Sequence, residues 1–297
     1  MPDVHICPLC GGTSSSERHA GPLPVRECTC GLAFLWPRPT EEMLEKIYSE
    51  EYYKSWGVAG ESDELPRQMK HLTFASRLRE IEALIPSPGK VLDVGCATGY
   101  FLEVAQSFGW EVAGVELSAY SAGLAAAKFG KLIFNGTLEQ ASYSDASFDL
   151  VTLSDLIEHV PDPVAFLNEV RRILKPGGVV MIVTPDLQSL AERVMRGKWS
   201  HYKLEHIYYF SPVTIDTCLK KSGFIPVRTE PAPKYLNLDY IVNQFVTYPH
   251  PVLTPFVKLL GRLIPQRLRQ LNIPIRCGEM MAIARSPVSL KPGSMND

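Results

Sequence analysis

Three groups of residues in this 297-residue sequence have the types and spacing to do chemistry. The first is a glycine-bearing loop with two acids, Asp93-Val94-Gly95-Cys96-Ala97-Thr98-Gly99 and, further on, Glu116. The second is four cysteines near the start: Cys7, Cys10, Cys28 and Cys30. The third is a set of histidines: His159 in the stretch EHVPDP, and His201 and His206 in the aromatic stretch WSHYKLEHIYYFS.

The loop has the make-up of a nucleotide-like ligand site. Glycine at 95 and 99 removes side chains that would hold a ligand off the backbone, and it permits unusual dihedrals. The unsatisfied amides of a following helix would point at whatever binds. A carboxylate at 116 is placed to accept both hydroxyls of a ribose, while Asp93 can receive the turn's amides or a ligand's ammonium group. The spacing suits a dinucleotide or an adenosyl ligand. A dinucleotide fingerprint, however, wants G-x-G-x-x-G, which DVGCATG lacks.

The flanking pattern supplies the elements that must hold these groups. Val91 to Val94 reads as a buried parallel strand, Phe101, Leu102, Val104 and Ala105 as one side of a helix, and Val112 to Val115 as a second strand ending on Glu116. Ser118 caps an alanine-rich helix that stops near Gly130, and Leu132 to Phe134 is a third strand. Phe148 to Leu153 is a fourth strand. Asp162 caps the next helix, with Pro163 in its first turn and Val164, Leu167, Val170 and Leu174 inward. Gly177-Gly178 turns into a fifth strand, Val179 to Val183. Ser211-Pro212 opens a helix ending at Gly223, and Phe224 to Thr229 and Met280 to Ala284 are the last strands. Upstream, Pro66 to Ile85 has a helical period, and Thr40 caps a helix bearing Met43, Leu44, Ile47 and Tyr48. Tyr48, Tyr52, Tyr53 and Trp56 read chiefly as packing, with Tyr52 or Tyr53 as the alternative lid over a ligand.

The ordered set DVGCATG, FDLVTL, EHVPDP and LKPGG resembles the class I S-adenosylmethionine-dependent methyltransferases, most specifically between Lys90 and Val183. The resemblance implies an α/β fold: a doubly wound, seven-stranded, mostly parallel, Rossmann-like sheet whose last strand is antiparallel. It implies methyl transfer from S-adenosylmethionine to a small acceptor. The cofactor-binding residues it implies are Asp93, Gly95, Cys96, Ala97, Thr98, Gly99, Glu116 and Leu117. It adds Gly136 and Thr137 at the adenine edge, and Ser154, Asp155 and Leu156 facing the methionine end. Two other readings compete with it: a zinc-module interaction protein on a degenerate core, and a nucleotide-dependent oxidoreductase.

Cys7-x-x-Cys10 has zinc-knuckle spacing, and four thiolates would close a tetrahedral structural Zn²⁺ site. Similar modules open a branch of small-molecule methyltransferases that includes sugar C-methyltransferases, and CGLAFLWPRPT and L-E-H-x-x-x-F-S-P resemble that branch. The second pair is C-x-C where the branch has C-x-x-C, so a distorted half-site is expected, with His5 and His19 as substitute ligands. The alternative is four free thiols. The resemblance makes a sugar nucleotide or secondary metabolite the expected acceptor. Any of the three histidines can take a proton from an acceptor, His206 first, His159 and His201 behind it. The opposing reading makes them packing residues.

A net charge of −2 gives no electrostatic reason to expect nucleic-acid binding. Apolar content of 45% with 21% charged residues suffices for a sizeable core. No apolar run approaches a transmembrane length, the first residues do not read as a secretory signal, and clustered cysteines fit a reducing compartment, so a cytoplasmic protein is expected. The expected divisions are a zinc module (1–36), a helical linker (37–89), the cofactor core (90–230), a cap or interface (231–279), the last strand (280–286) and a disordered tail (287–297). Within 231–279, LTPFVKLLGRLIPQRLRQL puts an apolar stripe beside Lys258, Arg262, Arg267 and Arg269. It reads as a cap over the acceptor, a homodimer face in place of a monomer, or a membrane-surface helix broken by Pro265.

Overall fold

Unbroken apolar runs such as Val91-Leu92 and Val179 to Val183 form strands here because both faces of the sheet are covered, leaving no solvated side to alternate with. The computed structural model describes residues 6–40, 42–43, 64–85, 87–247, 249–276 and 278–288. The expected helix over 41–50, the ring cluster at 48–56, His5 and the tail beyond Val288 lie outside the described residues, save for the start of that helix. There Met43 N donates to Thr40 Oγ1 at 3.3 Å, as the cap requires.

The chain opens with an antiparallel ribbon of β1 (Ser15–Ala20), β2 (Leu23–Cys28) and β3 (Ala33–Leu35). Helix α1 (Glu64–Glu82) follows. The core then runs β4 (Lys90–Val94), α2 (Tyr100–Ser107), β5 (Glu111–Glu116), α3 (Ala119–Phe129), β6 (Ile133–Asn135), β7 (Phe148–Ser154), α4 (Pro163–Ile173) and β8 (Leu174–Pro185). After it come α5 (Leu190–Met195), β9 (Tyr208–Tyr209), α6 (Pro212–Lys221) and β10 (Ile225–Pro231). The last third holds β11 (Lys234–Leu236), α7 (Leu238–Thr247), α8 (Leu253–Leu263), α9 (Gln266–Arg269), β12 (Ile273–Ile275) and β13 (Glu279–Arg285).

Seven strands form one sheet in the order β10-β13-β8-β7-β4-β5-β6. From β8 to β6 all pairs are parallel, and β13 is antiparallel to both neighbours. The chain winds outward in one direction from β4 through β5 to β6 and in the other from β7 to β8. The loops after β4 and β7 therefore sit together at the carboxyl edge, where the strand order reverses. The expected caps are in place: Ser118 Oγ accepts from Ser121 N, Asp162 from Val164 N and Ala165 N, and Ser211 from Thr214 N.

Several bounds differ from the sequence reading. Helix α1 starts at Glu64 and stops at Glu82. Pro66 is tolerated there because first-turn amides have no partner within the helix. Strand β8 begins at Leu174, so Lys-Pro-Gly-Gly is an excursion inside a strand rather than a turn before one. Opposite it, Phe148 pairs with Leu174 but Leu150 pairs with Val179, and Gly177 takes φ 78° within the excursion. Strand β10 runs on to Pro231 and β13 to Arg285, because each is the other's ladder partner over that length.

The amino-terminal ribbon does not stand alone. Strand β9 adds to it, with Ala33 opposite Tyr209 and Phe34 opposite Tyr208, making a four-stranded sheet. Cys7, Leu9, Cys28, Leu32 and Phe34 share one buried cluster with Leu92, Phe148 and Ile215 of the core. The segment 231–279 is also more than one piece. Strands β11 and β12 pair, and Tyr235 N donates to Thr73 Oγ1 on α1. Helices α7 and α8 pack together, with Gly261 set against Val242. Helix α8 ends at Leu263, two residues before Pro265. Among the described residues no helix is long and apolar enough to cross a membrane.

Candidate functional site

Strand β4 delivers Asp93 and the glycine loop. Gly95 and Gly99 take φ 77° and 79°, where a β-carbon is disfavoured. A β-carbon on Gly99 would also meet the Phe129 ring at 2.8 Å. Ala97, between them, is held at φ 47°, a conformation that stores strain in a non-glycine residue. What holds it is Glu116 at the end of β5. Its Oε2 accepts from Ala97 N at 2.9 Å and its Oε1 from Ser118 N at 2.7 Å. The acid expected to bind a ribose thus also fixes the loop. Cys96 is buried against Gly114, where a β-carbon would come within 2.7 Å of the thiol. Thr98, through its carbonyl, accepts from Lys128 Nζ at 3.2 Å.

Asp93 is 4% exposed and accepts from Thr152 Oγ1 at 2.6 Å across the β4–β7 pair. Burial pushes its carboxyl up to about 7; the Thr152 hydrogen bond opposes this and the Glu116 charge adds to it. Glu116 is pushed up as well, by burial first, against the amides of Ser118 and Ala97. Among the described residues no cation acts on either acid, which suits a cationic ligand.

The other cofactor candidates line the same edge. Leu117, 68% exposed, projects beyond Glu116. Gly136 N donates to the Glu116 carbonyl at 3.0 Å. Thr137 and Gln140 exchange hydrogen bonds, Gln140 Oε1 accepting from Thr137 N and Thr137 Oγ1 from Gln140 N, so this stretch is a self-bonded turn at the rim. Ser154 ends β7. Asp155 follows at φ 51°, and Leu156 packs where a β-carbon on Gly95 would be, 3.4 Å from its Cδ1. The loops after β4 and β7 therefore touch.

Beyond Leu156 a single 3₁₀ turn, Ile157–His159, carries Glu158 and His159 to the edge. Glu158 is 1% exposed; its Oε2 accepts from Thr184 Oγ1 at 2.9 Å and its Oε1 has no partner among the described residues. Across from it the segment after Trp199 brings in His206, whose ring lies 4.8 Å from that of His159 and 6.3 Å from that of His201. His206 is 4% exposed and its Nδ1 has no hydrogen-bond partner among the described residues. His159 Nδ1 is 2.9 Å from the Glu205 carbonyl oxygen. Burial holds His159 and His201 down at about 4, and it drives His206 well below the ordinary range with help from the other two rings and Lys203. All three imidazoles are neutral at pH 7.

The rest of the edge is charged. Asp155 is exposed at the edge and lies in the field of Glu279, Lys234, Arg77 and Lys203. Its carboxyl is pushed up to about 6 by burial and Glu279, with Lys234, Arg77 and Lys203 opposing. Glu279, buried on β13, pairs with Arg77 Nη2 at 3.0 Å and with Lys234 Nζ. Burial would raise its pKa, but these two cations hold it at about 2. Thr152, Thr184, Lys203, Glu205, Lys234, Arg77 and Glu279 were not among the sequence candidates. Lys203 and Glu205 sit inside the aromatic stretch, while the signal of Arg77 and Glu279 is spatial, since they are some two hundred residues apart.

At the other end of β9, all four cysteine sulfurs lie within 4.8 Å of one another. Cys7 Sγ is 3.6 Å from Cys30 Sγ, and Cys10 Sγ is 3.4 Å from Cys28 Sγ. A tetrahedral zinc with bonds of about 2.3 Å would set its sulfurs ~3.8 Å apart, so the donor set fits the ion. The C-x-C half-site brings both of its sulfurs into the cluster. Gly31, at φ 89° just after Cys30, sends its N–H back to the Cys28 carbonyl at 2.8 Å and tightens the shorter spacing. His19 is not among the clustered donors.

The comparisons with known proteins agree with this geometry. A family model described as a methyltransferase domain matches residues 65–229, more than half of the chain. A ubiquinone biosynthesis O-methyltransferase of Thiobacillus denitrificans is 36% identical over 115 residues, 36% of this chain and 50% of that protein. One from Cereibacter sphaeroides is 30% identical over 162 residues, 50% of this chain and 66% of that protein. The chain thus spans about half to two thirds of the length of the curated relatives it matches. A solved S-adenosylmethionine-dependent methyltransferase of Thermotoga maritima superposes with a TM-score of 0.53 at 20% identity. That match covers 83% of this chain and 100% of that one. Another, from Archaeoglobus fulgidus, gives 0.50 at 20% identity over 72% and 94%. The fold is therefore the Rossmann-like fold of class I methyltransferases, and the chain belongs to the methyltransferase-domain family.

Proposed function

We propose that this protein transfers the methyl group of S-adenosylmethionine to a hydroxyl of a small-molecule acceptor. The observation that carries the reading is the pair Asp93 and Glu116, buried at the switch point of the sheet on either side of a glycine loop whose strained Ala97 amide Glu116 holds. Glu116 would take the ribose hydroxyls and Asp93 the ammonium end. Gly95, Cys96, Ala97, Thr98 and Gly99 would cradle the chain between them. Leu117, Gly136 and Thr137 would border the base, and Ser154, Asp155 and Leu156 the methionine end.

The acceptor oxygen would attack the methyl carbon in line. The carbon–sulfur electron pair returns to sulfur, leaving S-adenosylhomocysteine, and the hydroxyl proton goes to a neighbouring base. Positioning and exclusion of water carry much of such a reaction. His206, with its unpartnered Nδ1, is the leading group for the proton, and His159 and His201 adjoin it. The charged group of Asp155, Lys203 and Lys234 favours a polar acceptor. The relatives named for O-methylation in ubiquinone biosynthesis favour a hydroxyl acceptor over the sugar nucleotide expected from the sequence. The four-cysteine cluster would hold a structural Zn²⁺ that fixes β3 and, through it, β9.

The test is incubation with methyl-labelled S-adenosylmethionine and a panel of catechols, phenols and sugar nucleotides. Label transfer to a hydroxyl, with one S-adenosylhomocysteine released per product, is expected. Transfer only to carbon or nitrogen, or to a sugar nucleotide alone, would overturn the acceptor class.

A further inference from the structure

We infer that Thr152 is a positioning residue of the cofactor site, whose hydroxyl grips one oxygen of the Asp93 carboxylate and leaves the other open to the ammonium group of S-adenosylmethionine. The inference rests on the methyl-transfer reading for what the open oxygen meets. The contact itself is short and enclosed: Thr152 Oγ1 donates to Asp93 Oδ1 at 2.6 Å, and the two residues are 0% and 4% exposed. Sheet pairing fixes it. Asp93 stands directly opposite Thr152 in the parallel β4–β7 ladder, one residue before β4 ends and the glycine loop begins.

The hydroxyl has one proton and two acceptors within reach, Asp93 Oδ1 at 2.6 Å and the Leu92 carbonyl at 3.5 Å. The shorter contact decides, and among the described residues it is the only hydrogen bond the carboxylate receives. A donor to the ionised form favours the charge, whereas burial and a second carboxylate oppose it. The titratable groups facing Asp93 are Glu116 from β5 and the Cys96 thiol from its own loop. Burial pushes both of them upward too, so neither brings a positive charge to Asp93. Burial alone would carry the Asp93 carboxyl higher than about 7, and Thr152 is what draws it back.

The residue type fits this role. Threonine is β-branched and packs in a buried strand much as valine does, and its neighbours Leu150, Val151 and Leu153 on β7 are all apolar and buried. Packing alone would be met by valine, so the hydroxyl answers to Asp93. It also selects an orientation: with Oδ1 held against β7, Oδ2 is the oxygen left for a ligand ammonium.

The test compares T152V, which removes the hydroxyl and keeps the shape, with T152S, which keeps the hydroxyl. The Asp93 carboxyl is followed against pH in the ligand-free full chain by its carbon-13 resonance, assigned with D93N. A midpoint near 7 is expected in the unaltered chain and in T152S. In T152V it should rise by about one pH unit or more. Calorimetry with S-adenosylmethionine on the same samples should then find T152V roughly fivefold weaker at pH 7 and within about twofold of the unaltered chain at pH 9, because the deficit lies in ionisation. A midpoint that shifts while no sample binds S-adenosylmethionine leaves Thr152 holding Asp93 and sinks the cofactor reading instead. An unmoved midpoint in T152V, or an affinity loss equal at pH 7 and pH 9, would overturn the inference.

Discussion

Tyr209 lies directly opposite Ala33 in an antiparallel pair, three residues from both His206 and Cys30. The backbone that carries the histidine cluster is thus the fourth strand of the sheet that carries the cysteines. Emptying the proposed zinc site should therefore be felt at the histidines. Cys28→Ser should cost several kcal/mol of metal-linked folding energy and lower Tm by on the order of 10 °C. It should also reduce methyl transfer, acting through β9. Unchanged Tm and unchanged zinc content by elemental analysis would show that the thiols hold no ion.

Glu116→Ala removes the ribose acceptor and the brace on Ala97 together. Hydrogen bonds to a charged group are worth ~1.5–3 kcal/mol, so affinity for S-adenosylmethionine should fall by roughly ten- to a hundredfold. Unaltered affinity by calorimetry would remove Glu116 from the site.

Asp93 supplies a pH dependence. With its carboxyl at about 7, the ionised form that would pair with a ligand ammonium becomes dominant only above neutrality. Affinity for S-adenosylmethionine should rise roughly tenfold from pH 6 to pH 8, with proton release on binding, and Asp93→Asn should flatten the profile. The sign for stability is opposite. The folded chain holds a proton that the unfolded chain releases near 3.8, so the ligand-free protein loses this contribution as pH rises from about 4 through 7. A flat binding profile in the unaltered protein would refute the assignment.

Glu279 has the reverse behaviour. Held at about 2 by Lys234 and Arg77 against its burial, it stabilises the fold above its ordinary 4.5, and that contribution is lost as pH falls toward 2. Glu279→Ala would leave the buried Arg77 unpaired and should cost about 3–5 kcal/mol by denaturant unfolding. A cost below about 1 kcal/mol would mean the pair is not formed in solution.

His206→Ala should lower turnover by on the order of a hundredfold or more while leaving S-adenosylmethionine affinity within a factor of two or three. Loss of both together would point to a structural role under the aromatic cluster.

What was legible in the sequence is what neighbours in the chain decide. The strand, loop, helix and strand from Lys90 to Glu116 are contiguous, and the caps Ser118, Asp162 and Ser211 act within three residues. The excursion at Lys-Pro-Gly-Gly was hidden because β7 sets where β8 begins. Thr152 and Thr184 look like ordinary strand residues until the neighbouring strand brings an acid beside each. No local pattern could announce that Ala33 pairs with Tyr209, or that Arg77, Lys234 and Glu279 meet. Those contacts are fixed by sheet order, and sheet order joins residues far apart in the chain.

Calorimetric titration of the full chain with S-adenosylmethionine, S-adenosylhomocysteine and NADH tests the central claim most directly. Micromolar binding of the two adenosyl ligands, with none of NADH, is the predicted result. Failure of the folded protein to bind either adenosyl ligand, or binding of NADH in their place, would contradict it.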